Sequence, residues 1–169
     1  MELLSKVILL QLEIVLISIK RTKTVFDEKL IKVIVSPSHE YKFDIMKEGV
    51  LLHLDRKYTY DIIPPELLGG LLFQGIHRPP KKYTIDIDIL SPATIYFFFH
   101  NTANGGYSEI FKTLNNWEIC DTYPQYDIHN GKHGLTNIMY KRNAEIGKIS
   151  IPPTIREKAC FNIIFQSRE

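Results

Sequence analysis

The chain has 169 residues, of which 44% are hydrophobic and 24% are charged, and its net charge is +2. These values fit one globular domain that is long enough to bury a core. A net charge this close to zero excludes the strongly basic surface typical of nucleic-acid-binding proteins and a polybasic membrane-binding patch.

An apolar run at residues 7–19 is the ambiguous part of the N-terminus. Gln11 and Glu13 interrupt it, and it is shorter than the ~20 apolar residues that span a bilayer. No small-x-small cleavage pattern follows, so we expect a packed strand or helix rather than a signal peptide, and no membrane span. We therefore predict an N-terminal extension at 1–46, packing on or docking a domain at 47–169.

Beyond residue 30, short apolar or alternating runs separated by Gly, Pro, Ser and Asn predict strands. The clearest alternation is at 82–90, where Ile85 and Ile87 alternate with Asp86 and Asp88. The run at 93–99 is apolar on both faces, as expected for a central strand. The predicted strands are 30–35, 41–45, 58–62, 71–73, 82–90, 93–99, 135–141, 147–151 and 160–166.

A helical pattern occurs once, at 108–117, where Ile110, Phe111, Leu114 and Trp117 recur at three- and four-residue spacing. The polar segment 123–134 predicts a long loop or hairpin. The fold class is therefore all-β: an antiparallel, jelly-roll-like β-sandwich with one short helix and an N-terminal extension. Its predicted core includes Ile85, Ile87, Ile95, Phe97, Ile149 and Ile163.

Punctuating residues carry a family resemblance. They are Asp55, Arg56, Tyr58, Pro64, Gly70 and Gly147, together with Trp117. Their order resembles the galactose-binding-like β-sandwich accessory domain of bacterial polysaccharide-active and surface proteins, over about residues 48–167. The resemblance implies that the first six maintain the fold, with Arg56 forking onto a carboxylate or loop carbonyls. The segment 75–80 departs from the family's Thr-Ala-Asn pattern, which puts any ligand role of that loop in doubt.

The strongest candidate binding surface is aromatic. Tyr96, Phe98 and His100 fall on one face of a strand, and a glycine-containing loop follows at 101–107. Aromatic rings beside amide groups suit sugars and partner side chains alike. The predicted ligand-binding residues are Asn101, Asn104, Tyr107, Trp117 and Tyr96. The alternative is that Tyr96 and Phe98 pack under the N-terminal extension.

Catalytic and metal-binding patterns are weak. Asp86 and Asp88 could lie about 7 Å apart, within the glycosidase range, but such outward acids are usually the solvated face of a strand. His129 and His133 lack a third ligand at zinc spacing. The remaining histidines are scattered and form no cluster by sequence: His39, His53, His77 and His100. We expect no enzymatic activity, no metal and no cofactor.

Two functions remain. One is a non-catalytic structural or assembly subunit that binds other protein subunits of a larger complex. The other, implied by the resemblance, is a carbohydrate-binding module of a secreted or surface protein. Two cysteines in apolar segments, Cys120 and Cys160, are expected to be unpaired, and no Asn-x-Ser/Thr sequon occurs. These observations favour the first function and an intracellular location over a secreted or cell-surface one.

Overall fold

The computed structural model describes residues 29–36, 38–79, 83–128 and 134–168. Predictions for 7–19 and for His129 and His133 lie outside these residues. The described elements are β1 (Ile31–Ser36), β2 (Lys42–Ile45), β3 (Thr59–Ile62), a 3-10 turn (Pro65–Leu67), β4 (Leu71–Gln74), β5 (Thr84–Ile89), β6 (Ala93–His100), α1 (Tyr107–Phe111), β7 (Glu118–Ile119), β8 (Gln125–Asp127), β9 (Leu135–Ala144), β10 (Gly147–Ile151) and β11 (Phe161–Ser167). No helix among them is long and apolar enough to cross a membrane.

The small sheet has the order β1-β5-β10, with both pairings antiparallel. The predicted alternation of β5 is confirmed, because Ile85, Ile87 and Ile89 are each 1% exposed. On its outer face, Asp86 accepts a hydrogen bond from Ser150 and Asp88 pairs with Lys148. The two aspartates therefore engage neighbours across the sheet.

The large sheet has the order β2-β4-β11-β6-β9-β8-β3, and β7 pairs with β9 at one side. Its central strands β4, β6 and β11 are buried along most of their length. This burial explains why their sequences are apolar on both faces: each face of the sheet is covered by other residues.

The main core lies between the two sheets and is rich in aromatic rings. Phe97 is fully buried at its centre, with its ring centroid 4.8 Å from Phe111, 4.9 Å from Tyr107 and 5.3 Å from Phe161. All the predicted core residues are buried here: Ile85, Ile87, Ile95, Phe97, Ile149 and Ile163. The antiparallel β-sandwich predicted from the sequence is confirmed.

A second cluster, the outer core, covers the opposite face of the large sheet. Its buried members are Met46, Val50, Leu52, Tyr60, Leu67, Leu72, Phe98, Tyr126, Met139 and Ile164. The chain that covers this face comes from residues 46–67 and β8, and we call these segments the cover. Phe98 packs under the cover. Asn162, 2% exposed, fastens the cover: its Nδ2 donates to the Leu52 and Phe73 carbonyls, and its Oδ1 accepts from the Tyr60 hydroxyl.

Proline and glycine residues lie where the chain of the cover turns, as the sequence predicts. Pro64 precedes the 3-10 turn, and Gly70 follows it where the chain passes close to β11. A Cβ on Gly70 would lie 2.6 Å from Ile164 Cγ2 and 2.9 Å from Gln166 Nε2. Gly70 therefore permits a close approach of the chain to the sheet. Gly147 begins β10.

The structure sets closer bounds on three of the predicted segments. β1 and β2, assigned to the extension, hydrogen-bond into the small and large sheets, so 31–36 and 42–45 are strands of the sandwich. The segment 123–134, predicted as a long loop or hairpin, contains β8, which pairs with β3 and, as a hairpin strand would, with β9. The helix ends at Phe111 and is therefore shorter than the predicted 108–117. Hydrogen-bonded turns follow it, and they carry the rest of the apolar pattern, including the buried Trp117.

Candidate functional site

A cavity of about 210 Å³ opens where β6 ends and β9 and β11 begin. We call it the end cavity. It is lined by Tyr58, His77, Arg78, His100, Ala103, Tyr126, Ile128, Leu135 and Cys160. These residues stand at strand ends and in the loops beside them, and neighbouring antiparallel strands bring such positions to one edge of a sheet.

Two tyrosines form the aromatic wall of the end cavity. The ring centroids of Tyr58 and Tyr126 lie 6.5 Å apart with an interplanar angle of 28°. The ring centroid of His77 lies 5.4 Å from that of Tyr58, and the ring centroid of His100 lies 5.8 Å from that of Tyr126, both in edge-to-face arrangements. The wall thus combines apolar ring faces with polar ring nitrogens, the combination on which ligands with both hydroxyl groups and C–H faces can rest.

His100 has a defined tautomer. Its Nδ1 lies 3.3 Å from the Thr102 backbone N and 3.0 Å from the Ala103 backbone N, both of which are donors. Nδ1 must therefore be the acceptor, and the proton of the neutral ring is assigned to Nε2. Burial, with a contribution from Arg78, lowers the pKa of His100 below its ordinary value. At neutral pH the ring thus presents Nε2–H as a donor.

Arg78 places a fixed positive charge on the end cavity. Its φ is 58°, in the left-handed region that non-glycine residues seldom occupy. Among the described residues, no carboxylate pairs with its guanidinium within salt-bridge distance. Uncommon backbone conformations persist at sites where the surrounding structure requires them, and they often mark function. Arg78 is therefore an exposed cation that no carboxylate of the described residues neutralises.

The floor of the end cavity contains a buried histidine–cysteine pair. His53 Nε2 lies 3.3 Å from Cys160 Sγ, and the His53 and His77 rings are 5.1 Å apart. Desolvation lowers the pKa of His53 to about 3 and that of His77 to about 4, so both rings are neutral at pH 7. Desolvation also raises the pKa of the Cys160 thiol to about 12. Cys160 and the half-buried Cys120 are free thiols.

Asp55 and Arg56 support this floor from outside. Arg56 Nη1 donates to the Asp55 carbonyl at 2.6 Å and to its carboxylate at 2.9 Å. The other carboxylate oxygen accepts from the His77 backbone N–H at 2.7 Å. Arg56 therefore contacts a carboxylate and a carbonyl, and Asp55 holds the loop that carries His77 and Arg78.

The predicted ligand-binding residues are not brought together. Tyr107 is 0% and Trp117 8% exposed, and both rings pack in the main core against Phe97 and Phe111. The Asn104 side chain bonds within its own loop, to the Asn101 carbonyl and the Gly106 N–H. A ligand at this loop would therefore meet asparagine and backbone groups rather than the two buried rings.

The fifth residue, Tyr96, lines a separate cavity of about 370 Å³. That cavity is lined by Glu66, Tyr96, Ile119, Cys120, Asp121, Thr122 and Lys141. Binding at the five predicted residues stays a prediction. The predicted loop does contribute to the end cavity through Ala103, and His100, the last residue of β6, lines it too. The position of His100 at the end of a predicted strand was the available sequence signal.

Comparison with known proteins adds a likeness of fold. No protein-family model and no curated protein matches the chain. A solved structure of a β-glucuronidase from glycoside hydrolase family 2 superposes with a TM-score of 0.61 at 12% identity, covering 81% of this chain and 14% of that one. The chain thus spans a small part of the length of that enzyme, and at this identity the likeness shows the fold alone.

Proposed function

We propose that this β-sandwich binds a single carbohydrate unit in the end cavity and that it prefers a sugar bearing a carboxylate, such as a uronate. The observation that carries the proposal is the combination of the Tyr58–Tyr126 wall with two donors, Arg78 and the Nε2–H of His100.

The size of the cavity supports a small ligand. Its volume of about 210 Å³ lies below the roughly 300–1,000 Å³ of pockets for drug-sized molecules. One sugar ring with its substituents is therefore a better match than an oligosaccharide. Sugar rings place C–H faces on aromatic rings and hydroxyls on donors, and the end cavity offers both.

Arg78 supports the preference for a carboxylate. A guanidinium matches a carboxylate in charge and fork geometry, and such charge-assisted pairs are stronger than neutral hydrogen bonds. The structural neighbour is a β-glucuronidase, and its name makes a uronate the natural first ligand to try.

We include the absence of catalysis in the proposal. Glycoside hydrolysis normally uses two carboxyl groups that flank the scissile bond. The described residues that line the end cavity include neither aspartate nor glutamate. The proposed role is therefore recognition of the sugar rather than its hydrolysis.

The assembly-subunit interpretation stays a prediction. Large exposed hydrophobic residues occur on separate elements, among them Ile34 on β1, Ile119 on β7 and Ile146 between β9 and β10. Single exposed apolar side chains are normal on a monomer surface, so they are not evidence for a partner.

Titration of the full chain with glucuronate, glucose and acetate tests the proposal. We expect glucuronate to bind with a dissociation constant of about 0.1–1 mM. Glucose and acetate should bind more weakly, because glucose lacks the carboxylate and acetate lacks the sugar ring. Arg78→Gln should weaken glucuronate binding by about 10–100-fold, since a hydrogen bond to a charged group contributes ~1.5–3 kcal/mol. The control is Arg168→Gln, which removes an exposed arginine paired with Glu145 beyond β11. Equal glucuronate affinity in both variants would contradict the proposal.

A further inference from the structure

We propose that His53, His77 and Cys160 form a zinc-binding site in the floor of the end cavity. One potential ligand atom from each of the three lies within 4.8 Å of the other two. The residues come from three distant parts of the sequence, so the fold alone brings them together. Two imidazoles and one thiol are ligands that Zn²⁺ takes readily.

The spacing suits a tetrahedral ion. With Zn–S near 2.3 Å and Zn–N near 2.0–2.1 Å, tetrahedral angles separate the sulfur and nitrogen ligands by about 3.6 Å and two nitrogens by about 3.4 Å. His53 Nε2 and Cys160 Sγ are already 3.3 Å apart. Small side-chain shifts, mainly at His77, would bring all three ligand atoms to these separations.

The backbone holds all three ligands in place. The Cys160 N–H donates to the Ala103 carbonyl and the Cys160 carbonyl accepts from the His100 N–H, each at 2.8 Å. The His77 N–H is fixed by Asp55 at 2.7 Å, and Leu54, beside His53, donates to the Gly75 carbonyl at 3.1 Å. Ligands on a rigid frame lose little freedom when an ion binds.

An unsatisfied ring nitrogen supports the site independently. His77 Nδ1 is buried and has no hydrogen-bond partner among the described residues. His53, whose Nε2 faces Cys160 Sγ, is 1% exposed. Buried polar atoms without partners are uncommon, and metal binding is one function that explains them.

The site would leave one coordination position open. His77 and Cys160 both line the end cavity, through which water can reach the fourth position of the ion. On binding, the thiol S–H bond breaks, the proton passes to solvent and a Zn–thiolate bond forms. Asp55 favours positive charge at all three ligands, whereas Arg56 opposes it at all three and Arg78 opposes it at His77 and Cys160.

X-ray absorption of the zinc-loaded wild-type chain is the first test. The full chain is reduced, stripped of metal with a chelator, and loaded with Zn²⁺ alone, without sugar. We expect one zinc per chain with one sulfur neighbour at about 2.3 Å and nitrogen or oxygen neighbours otherwise. Failure to retain zinc, or a coordination shell without sulfur, would overturn the proposal even if glucuronate binds as proposed above.

Matched variants locate the ion. Competition with a chromogenic chelator should show at least tenfold weaker zinc binding for Cys160→Ser and unchanged binding for Cys120→Ser, which alters the other thiol. His129→Ala and His133→Ala should also bind zinc normally, and these two variants control for the histidines outside the described residues. Normal binding by Cys160→Ser would overturn the assignment. If Cys160→Ser fails to fold, as judged by circular dichroism, the sulfur neighbour in the wild-type absorption spectrum decides.

Discussion

Removing the Asn162 side chain should loosen the cover of the large sheet. This buried amide donates to the Leu52 carbonyl at 2.7 Å and the Phe73 carbonyl at 3.2 Å, and accepts from the Tyr60 hydroxyl at 2.8 Å. The cover carries His53 and Tyr58, so Asn162 positions part of the end cavity without touching it.

The expected loss of unfolding free energy follows from the number of hydrogen bonds that each substitution removes. Each buried hydrogen bond contributes about 1 kcal/mol net, and a partner left unsatisfied costs about 1–3 kcal/mol. Asn162→Ala removes three bonds, so we expect the free energy of unfolding to fall by ~3–4 kcal/mol. Tyr60→Phe removes one bond and should cost ~1–2 kcal/mol. In the double variant the Tyr60 hydroxyl is no longer orphaned, so the total should be ~1 kcal/mol less than the sum.

Urea unfolding of the wild type, the two single variants and the double variant measures these values. Asn143→Ala is the matched control, because its amide accepts one exposed hydrogen bond from Thr94. That change should cost less than ~0.5 kcal/mol. If Asn162→Ala cost under ~1 kcal/mol, or if the double variant were fully additive, the amide would not be what fastens the cover.

The remaining predictions concern the core, the floor and the wall of the end cavity. Phe97→Ala should lower the free energy of unfolding in urea by ~3–5 kcal/mol, as for other buried aromatic residues. The control is Ile119→Ala, at a side chain 64% exposed, which should cost under ~0.5 kcal/mol. A loss below ~1 kcal/mol for Phe97→Ala would show that Phe97 is not in the core. Arg56→Lys should lower the free energy of unfolding by at most ~1 kcal/mol, because the Arg56–Asp55 ion pair is exposed. It should leave sugar binding intact. A folded Arg56→Lys variant that no longer binds sugar would show that Arg56 contacts the ligand. NMR titration should give His100 a pKa below the ordinary histidine value of about 6.5, because burial disfavours its charged form. The unfolded state then takes up the proton first, so stability falls as the pH drops below about 6.5. A pKa at or above that value would contradict the acceptor role assigned to Nδ1.

Much of the fold could be predicted because it depends on local periodicity. The alternation around Ile85 and Ile87 identified β5 and its buried face, and the doubly apolar run of β6 identified a central strand. The membership of β1 and β2 in the sheets could not be read in the same way. Their partners, β5 and β4, lie far along the chain, and an edge strand carries no local sign of its pairing.

The end cavity was beyond sequence reasoning for a related reason. Tyr58, His77, His100 and Cys160 lie at strand ends with no motif spacing, and only the antiparallel order of the large sheet brings them together. Tyr107 was predicted as a binding residue because it follows a glycine-containing loop. The start of α1 instead turns its ring into the main core, a direction that loop composition does not reveal.

Mapping glucuronate binding by NMR chemical shifts tests the central claim most directly, because it reports where a sugar binds rather than only whether it does. The claim predicts concentration-dependent shifts at Tyr58, Arg78, the His100 ring and Tyr126, with Tyr96 and Lys141 of the other cavity unchanged. Shifts confined to Tyr96 and Lys141 would contradict the claim. So would the absence of shifts at the end cavity at high millimolar glucuronate.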